Sequence, residues 1–279
     1  MAFGLAAATA LLLAPTSGAA ASTSSTLRMA PRAEPTAGVS SNWAGYVVTA
    51  PQTTTPAAGA TFTDVTGGWV QSKATCDTGE ATASAFWVGL GGVDESTQGL
   101  EQLGTEADCS ANGRTTYSAW YELLPAGPVE LKMRIRPRDK ITAAVLSDGQ
   151  GVVVSLKDTT AHTRFSKRIP VVDPLDLGSA EWIAEAPSSC DAGGQRCRAV
   201  PLTNFGTVRF TGAATVGGSH PGTISDPAWA TEQVSLVPDP NAPGFGGATN
   251  THGAAANALS PDGRSFSVAW QRTPATSSP

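Results

Sequence analysis

From Asn42 to Gln271 the chain is a succession of short runs rich in Val, Thr, Ile and aromatic residues, broken by clusters of Gly, Pro, Asp and Ser. Runs of this kind read as β-strands and the clusters as turns. The first are Asn42–Ala50, Thr61–Gln71, Ser84–Gly91, Gly99–Thr105, Thr116–Leu124 and Val129–Arg136. They continue with Lys140–Ser147, Gly151–Lys157, Thr163–Val171 and Ala180–Ala186. Thr207–Gly212, Gln233–Val237 and Phe266–Gln271 complete the series. More than ten strands with alternating faces need two stacked sheets to bury a shared core. Repeats of fixed period are absent, which argues against a propeller or solenoid. The expected fold is all-β, a β-sandwich of two large antiparallel sheets.

Composition agrees. Charged residues make up 15% of the chain, below the usual quarter or so, while 30 Gly and 20 Pro supply turns. A formal net charge of −5 argues against a nucleic-acid partner, because phosphate binding needs clustered Lys and Arg. The run Gly244–Gly253 reads as a flexible surface loop before the last strand.

Residues from Ala2 to about Ala14 form an apolar run too short to span a bilayer, followed by Ser17-Gly18-Ala19-Ala20-Ala21. Residues 1–21 are therefore expected to be a secretory signal peptide cleaved near Ala21, a buried N-terminal helix being the alternative. A basic n-region is missing, which would place the true start upstream of Met1. Residues 22–39 are polar and Pro-punctuated, and read as a short pro-segment or disordered linker. Residues 40–279 would form the folded domain, secreted and extracellular, with no membrane association after signal removal and monomeric.

Four cysteines suit an oxidising compartment. Cys190 and Cys197 bracket a turn-rich hexapeptide that would close readily into a disulfide loop, leaving Cys76 and Cys109 to pair. That is one of three possible connectivities. His162, His220 and His252 are scattered, with no HExxH and no zinc spacing. No metal and no cofactor are expected.

Ser179–Glu185 is the conspicuous strand. Read with period two, it places Glu181, Ile183 and Glu185 on one face and Trp182 and Ala184 on the other. Two carboxylates cannot both be buried without partners, so their face is expected to be a surface or a cleft. A solvated strand edge would show the same pattern. Seven tryptophans exceed what core filling requires, although most Trp in a sandwich are core. Trp120 and Tyr121 must point to opposite faces, and Glu122 shares the face of Trp120, which makes that the open side.

Five motifs occur in order: Ser41-Asn-Trp-Ala-Gly45, Ala85-Phe-Trp-Val-Gly89, Leu100-Glu-Gln-Leu-Gly104, Ala119-Trp-Tyr-Glu122 and Ala180-Glu-Trp-Ile-Ala-Glu185. Together they resemble the glutamic peptidases, or eqolisins, which are acid endopeptidases. The similarity runs from about Ser40 to Gly212. What the resemblance implies is a sandwich of two seven-stranded antiparallel sheets, of the concanavalin-like jelly-roll kind, with a catalytic Gln/Glu dyad on one concave face. The matching positions are Gln102 and Glu185, with Glu181 as the alternative base. Trp43 and Trp87 match positions lining the substrate cleft, and Glu122 an acid close to it; Trp120 joins them as substrate-binding.

The residue types suit peptide hydrolysis. Without metal or nucleophile, the reaction needs a base to deprotonate water and a donor to stabilise the oxyanion. A Glu carboxylate supplies the first and then returns the proton to the leaving amine, while the Gln102 amide supplies the second and cannot titrate. Protein or peptide substrates at acidic pH are what the resemblance implies. Arg28 and Arg32 would cover the acidic cleft until removed.

Other classes fit less well. A glycoside hydrolase or carbohydrate-binding module would use a similar sandwich. However, Glu181 and Glu185 in one strand lie about 13 Å apart, beyond the ~5–9.5 Å of a glycosidase pair. Glu101 or Glu122 on a neighbouring strand could still partner one of them. Gly217-Gly-Ser-His-Pro-Gly222 lacks the spacing of a serine-hydrolase elbow. A binding protein with an eroded dyad would not need both Gln102 and Glu185.

Overall fold

The computed structural model describes Met1 and residues 27–28, 38–51, 61–93, 99–171, 175–190, 197–238 and 252–272. The expected signal peptide and most of the expected pro-segment lie outside these residues. Every regular element described is a strand.

Two short strands, β1 (Leu27–Arg28) and β2 (Val39–Ser40), come first. β3 (Trp43–Thr49), β4 (Phe62–Val70), β5 (Ala85–Gly91), β6 (Leu100–Cys109) and β7 (Thr115–Leu123) follow. Next are β8 (Val129–Glu130), β9 (Lys140–Ser147), β10 (Gly151–Asp158) and β11 (Thr163–Pro170). Then come β12 (Ser179–Glu185), β13 (Ser188–Cys190), β14 (Cys197–Ala199), β15 (Thr207–Gly217) and β16 (His220–Gly222). β17 (Ala230–Leu236), β18 (His252–Ala256) and β19 (Phe266–Arg272) close the series.

One layer runs β11-β10-β9-β4-β15-β19-β18 and the other β17-β3-β12-β5-β6-β7-β8. β17 pairs antiparallel with both β18 and β3, so hydrogen bonding continues around one edge from layer to layer. Between the layers Val65, Trp69, Ile141, Val145 and Val154 meet Tyr46, Val48, Phe86, Val88, Leu103 and Trp182. Each fully buried side chain of this size contributes roughly 1.5–3 kcal/mol. Trp182 reaches across the sandwich and donates its indole N–H to the Thr66 carbonyl at 2.7 Å. Gly67 permits that approach, since a Cβ there would lie 2.8 Å from the Trp182 ring.

The period-two pattern leaves the other face of the second layer with its own smaller cluster. Trp43, Val47, Ala85, Trp87, Leu100, Trp120, Ile183 and Val234 form it. The expected two-sheet sandwich is what the chain adopts.

Several boundaries differ from the sequence reading. The run Val129–Arg136 is a strand only over Val129–Glu130. Beyond it the Met133 N–H bonds to the Leu131 carbonyl in a tight turn, and Leu131 and Ile135 drop into the core. The run Thr207–Gly212 continues to Gly217, because Gly212 at φ +63° marks a bulge rather than a terminus. His252 and Gly253, expected in a loop, open β18; the rest of that run lies outside the described residues. Gly217–Gly222 is the β15–β16 hairpin, with Gly217 across from His220.

Cys76 and Cys109 form a disulfide. Cys190 is also disulfide-bonded, and its backbone lies in register with Cys197. Among the described residues no helix is long and apolar enough to cross a membrane. The Cys76–Cys109 bond spans 33 residues and ties the end of β6 to the segment before β5. Replacing both cysteines by Ala is expected to cost about 2–4 kcal/mol, read as a lower urea midpoint, with a steeper slope because the unfolded chain expands.

Candidate active site

Four neighbouring strands, β12, β5, β6 and β7, build the site through their register. Glu181 lies opposite Gly89, Gly89 opposite Gln102, and Gln102 opposite Glu122. The next row is Ile183, Trp87, Gly104 and Trp120; the one beyond is Glu185, Ala85, Glu106 and Ser118. Trp43 pairs with Glu185 from the other side. Directly paired residues share a face, so Gln102, Glu122, Glu181, Glu185 and the three tryptophans all stand on the side of the smaller cluster.

Gln102 and Glu181 are two strands apart at one level, about 10 Å between Cα atoms. Gln102 and Glu185 differ by two strands and four residues, about 16 Å, with the Trp87 row between them. The register thus brings Gln102 level with Glu181 and keeps it from Glu185.

Glycines shape the floor. A Cβ at Gly89 would meet the Trp87 ring at 2.8 Å and Gln102 Cβ at 3.3 Å. One at Gly104 would meet Trp87 Cβ at 2.6 Å and the Trp120 ring at 3.1 Å. Without side chains at these positions, the two indoles and the Gln102 amide close over the strand. Trp43 and Trp87 meet edge-on, with centroids 5.0 Å apart.

The polar groups are fixed by specific bonds. Gln102 Nε2 donates to Glu122 Oε2 at 3.1 Å, which sets which way the amide faces. Trp87 Nε1 donates to Glu185 Oε2 at 2.7 Å, so Glu185 orients a tryptophan of the site. Gln102 Oε1, both Glu181 carboxyl oxygens and Trp120 Nε1 have no hydrogen-bond partner among the described residues. These are unmet donors and acceptors on one face, suited to water or a peptide backbone.

The expected open acidic face is not observed: Gln102, Glu122, Glu181 and Glu185 are all 0% exposed. Glu181 tolerates this by holding its proton. Burial raises it well above the ordinary glutamate range; the nearby Ser179 hydroxyl opposes this, and Asp176 and Glu101 add like charge. Glu101, on the opposite face of β6, is pushed up to about 8 by burial and then by Asp176.

β6 runs past the Thr105 end expected from the sequence and brings a further acidic pair to the site. Glu106 and Asp108 extend β6 on the site's face. Burial, with Glu130 adding to it and the Ser118 hydroxyl opposing, raises Glu106 to about 7. Burial and then Glu106 lift Asp108 well above its usual range. Among the described residues no group of three or more His, Cys, Asp or Glu could hold a metal. The register also weakens the glycosidase reading. Glu122 is three strands from Glu181, about 14 Å, and Glu101 faces the other way.

The sequence profile of the Peptidase A4 family matches residues 41–235. Aspergillopepsin-2 of Aspergillus niger is 32% identical over 203 residues, covering 66% of this chain and 67% of its own. Scytalidopepsin B of Scytalidium lignicola is 28% identical over 194 residues, covering 67% and 68%. In fold, the chain is similar to scytalido-glutamic peptidase bound to a peptide-based transition state analog. That match has a TM-score of 0.63 at 21% identity, over 83% of this chain and 98% of that one. Aspergilloglutamic peptidase from Aspergillus niger matches with a TM-score of 0.51 at 22% identity, over 68% and 99%.

The buried carboxyls have a consequence for stability. Glu101, Glu106, Asp108 and Glu181 hold protons in the folded chain at pH values where the unfolded chain has lost them. For Glu101 and Glu106 that contribution is complete below the unfolded value near 4 and is lost as pH rises through about 7 to 8, and for Asp108 and Glu181, also raised, it is lost in the same direction. Exposed Asp148 and Asp262 and half-buried Asp226 shift the opposite way, but solvent screens them. The midpoint of thermal unfolding is therefore expected to fall by about 5–15 °C from pH 4 to pH 8, and the Glu101→Gln/Glu106→Gln variant to flatten that slope.

Proposed function

Because the chain belongs to the Peptidase A4 family and is a glutamic endopeptidase, we propose that its base is Glu181, working with Gln102 on a water held between β12 and β6. The observation that carries this reading is the row Glu181–Gly89–Gln102, with unmet oxygens on both outer members.

The steps follow from the groups. Ionised Glu181 takes a proton from the water as it attacks the scissile carbonyl, and Gln102 Oε1 orients that water. One N–H of Gln102 is committed to Glu122, and the second donates to the developing oxyanion. Glu181, now protonated, returns the proton to the leaving amine. A water or substrate amide bonding to Glu181 offsets the burial that holds its proton, so ionisation accompanies binding. Trp43, Trp87 and Trp120 give the peptide apolar walls, and Glu185 sets the Trp87 ring rather than touching the water.

The working state is a secreted monomer acting at acidic pH. The apolar N-terminal run and the Cys76–Cys109 disulfide support secretion, and the buried protonated carboxyls support work at acidic pH. The N-terminal segment that contains β1 is the proposed cover for the site; most of residues 22–39 lie outside the described residues. β1 lies antiparallel against β13, which begins three residues after Glu185, and all four polar side chains of the site are shut from solvent. Active secreted protein is expected to begin near Ser40 on N-terminal sequencing; fully active protein retaining Ser22 would overturn the cover.

Digestion of a denatured protein across a pH series tests the dyad. Glu181→Gln and Gln102→Ala should each lose about 10²–10³-fold or more in kcat. Glu185→Gln should keep kcat within about tenfold and raise KM, as removal of uniform binding would. An inactive Glu185→Gln beside an active Glu181→Gln would transfer the base to Glu185. Sugar release without peptide cleavage would favour a glycoside hydrolase.

A further inference from the structure

Asp176 lies just ahead of β12 and is buried, 6% exposed, in a setting that no peptidase motif in the sequence marks. Its carboxylate accepts two backbone N–H groups at 3.0 Å: Gly92 to Oδ2, at the end of β5, and Gly178 to Oδ1, at the entry to β12. Glycines close around it. A Cβ at Gly91 would lie 2.4 Å from the Asp176 carbonyl oxygen and 2.7 Å from its Cβ. A Cβ at Gly99, the residue before β6, would lie 2.8 Å from the Asp176 nitrogen. Gly91 and Gly92 sit at φ +83° and +84°, a conformation that glycine reaches without strain. The neighbouring Leu177 carbonyl accepts from the Phe62 N–H at 2.8 Å, so this segment is also anchored to the opposite layer.

The cradle joins the three strands of the Glu181–Gly89–Gln102 row at one end. Gly91 pairs with Leu100, and two residues further along Gly89 pairs with Gln102. On β12, Glu181 is five residues past Asp176. We propose that Asp176 is a positioning residue that fixes the spacing of Gln102 and Glu181 by clamping the ends of β5, β6 and β12 in its glycine cradle. This rests on the reading of those two residues as the dyad. Asp176 also adds negative charge near Glu181 and Glu101, the other titratable groups that act on this end of the row.

The test compares Asp176→Asn and Asp176→Ala with wild type in kcat, KM, pH profile and thermal midpoint. Asn keeps an acceptor oxygen and loses the charge, and Ala loses both. For folded Asp176→Asn, kcat should fall about 10–100-fold with KM within about twofold, as expected when geometry at the reacting groups is lost. The acid limb of kcat/KM should move to lower pH, because removing a like charge eases ionisation of Glu181. Asp176→Ala should show a larger loss of kcat. Gly99→Ala, which crowds the cradle without altering charge, should lower kcat and leave the acid limb where it is. A purely structural Asp176 would lower the thermal midpoint and the active fraction, yet leave kcat per active site and the limb unchanged; that result overturns the proposal. If Glu181→Gln is active, the dyad fails instead, so the two failures are distinct.

Discussion

The hydrogen-bonded register of β12, β5 and β6 is the constraint on which the site depends. Every row across these strands has one member from each, and a one-residue slip would turn every side chain to the other face. In the observed register Glu181 and Gln102 fall level, with a glycine between them. The same pairing sets Trp87 and Trp120 around Gly104 and leaves Glu185 at the next acidic level, bonded to the Trp87 indole. Nothing in the individual strands dictates these levels. They follow from the three ladders being in register together, with the ends of β5 and β12 joined at Asp176.

Burial of acid is the second organising fact. Glu101, Glu106, Asp108 and Glu181 are placed where ionisation is unfavourable, and burial is the largest cause in each case. Such a chain folds most readily when these groups are neutral, which ties its stability to low pH. The same low-dielectric surroundings strengthen each hydrogen bond that Gln102 and Glu185 make. A carboxylate in open water would be a weaker base and a poorer guide for a tryptophan ring.

How much of this was legible in the sequence differs by element. The alternation in Lys140–Ser147 and Gly151–Lys157 marked β9 and β10 to within a residue, because one face of each is buried and the other wet. β6 runs four residues past the Thr105 end that the sequence suggests, because Glu106 and Asp108 continue its alternation on the face of the site. The run after Val129 alternates well but leaves the sheet, since Leu131 and Ile135 serve the core from irregular backbone. Gly89 and Gly104 close two of the sequence motifs and Asp176 lies in none, yet the roles of all three are unreadable there, because they are steric or depend on backbone groups that meet only when other strands approach.

The sequence by itself determined the all-β sandwich, the face on which each strand residue stands, and the set of polar and aromatic residues available for chemistry. Those follow from period-two alternation and turn composition, which are local. Only the tertiary structure decided which glutamate stands level with Gln102, because that depends on the alignment of strands about 80 residues apart in the chain. It also decided that the acidic face is enclosed. Burial is a property of what packs over a strand, and no residue pattern within the strand encodes it.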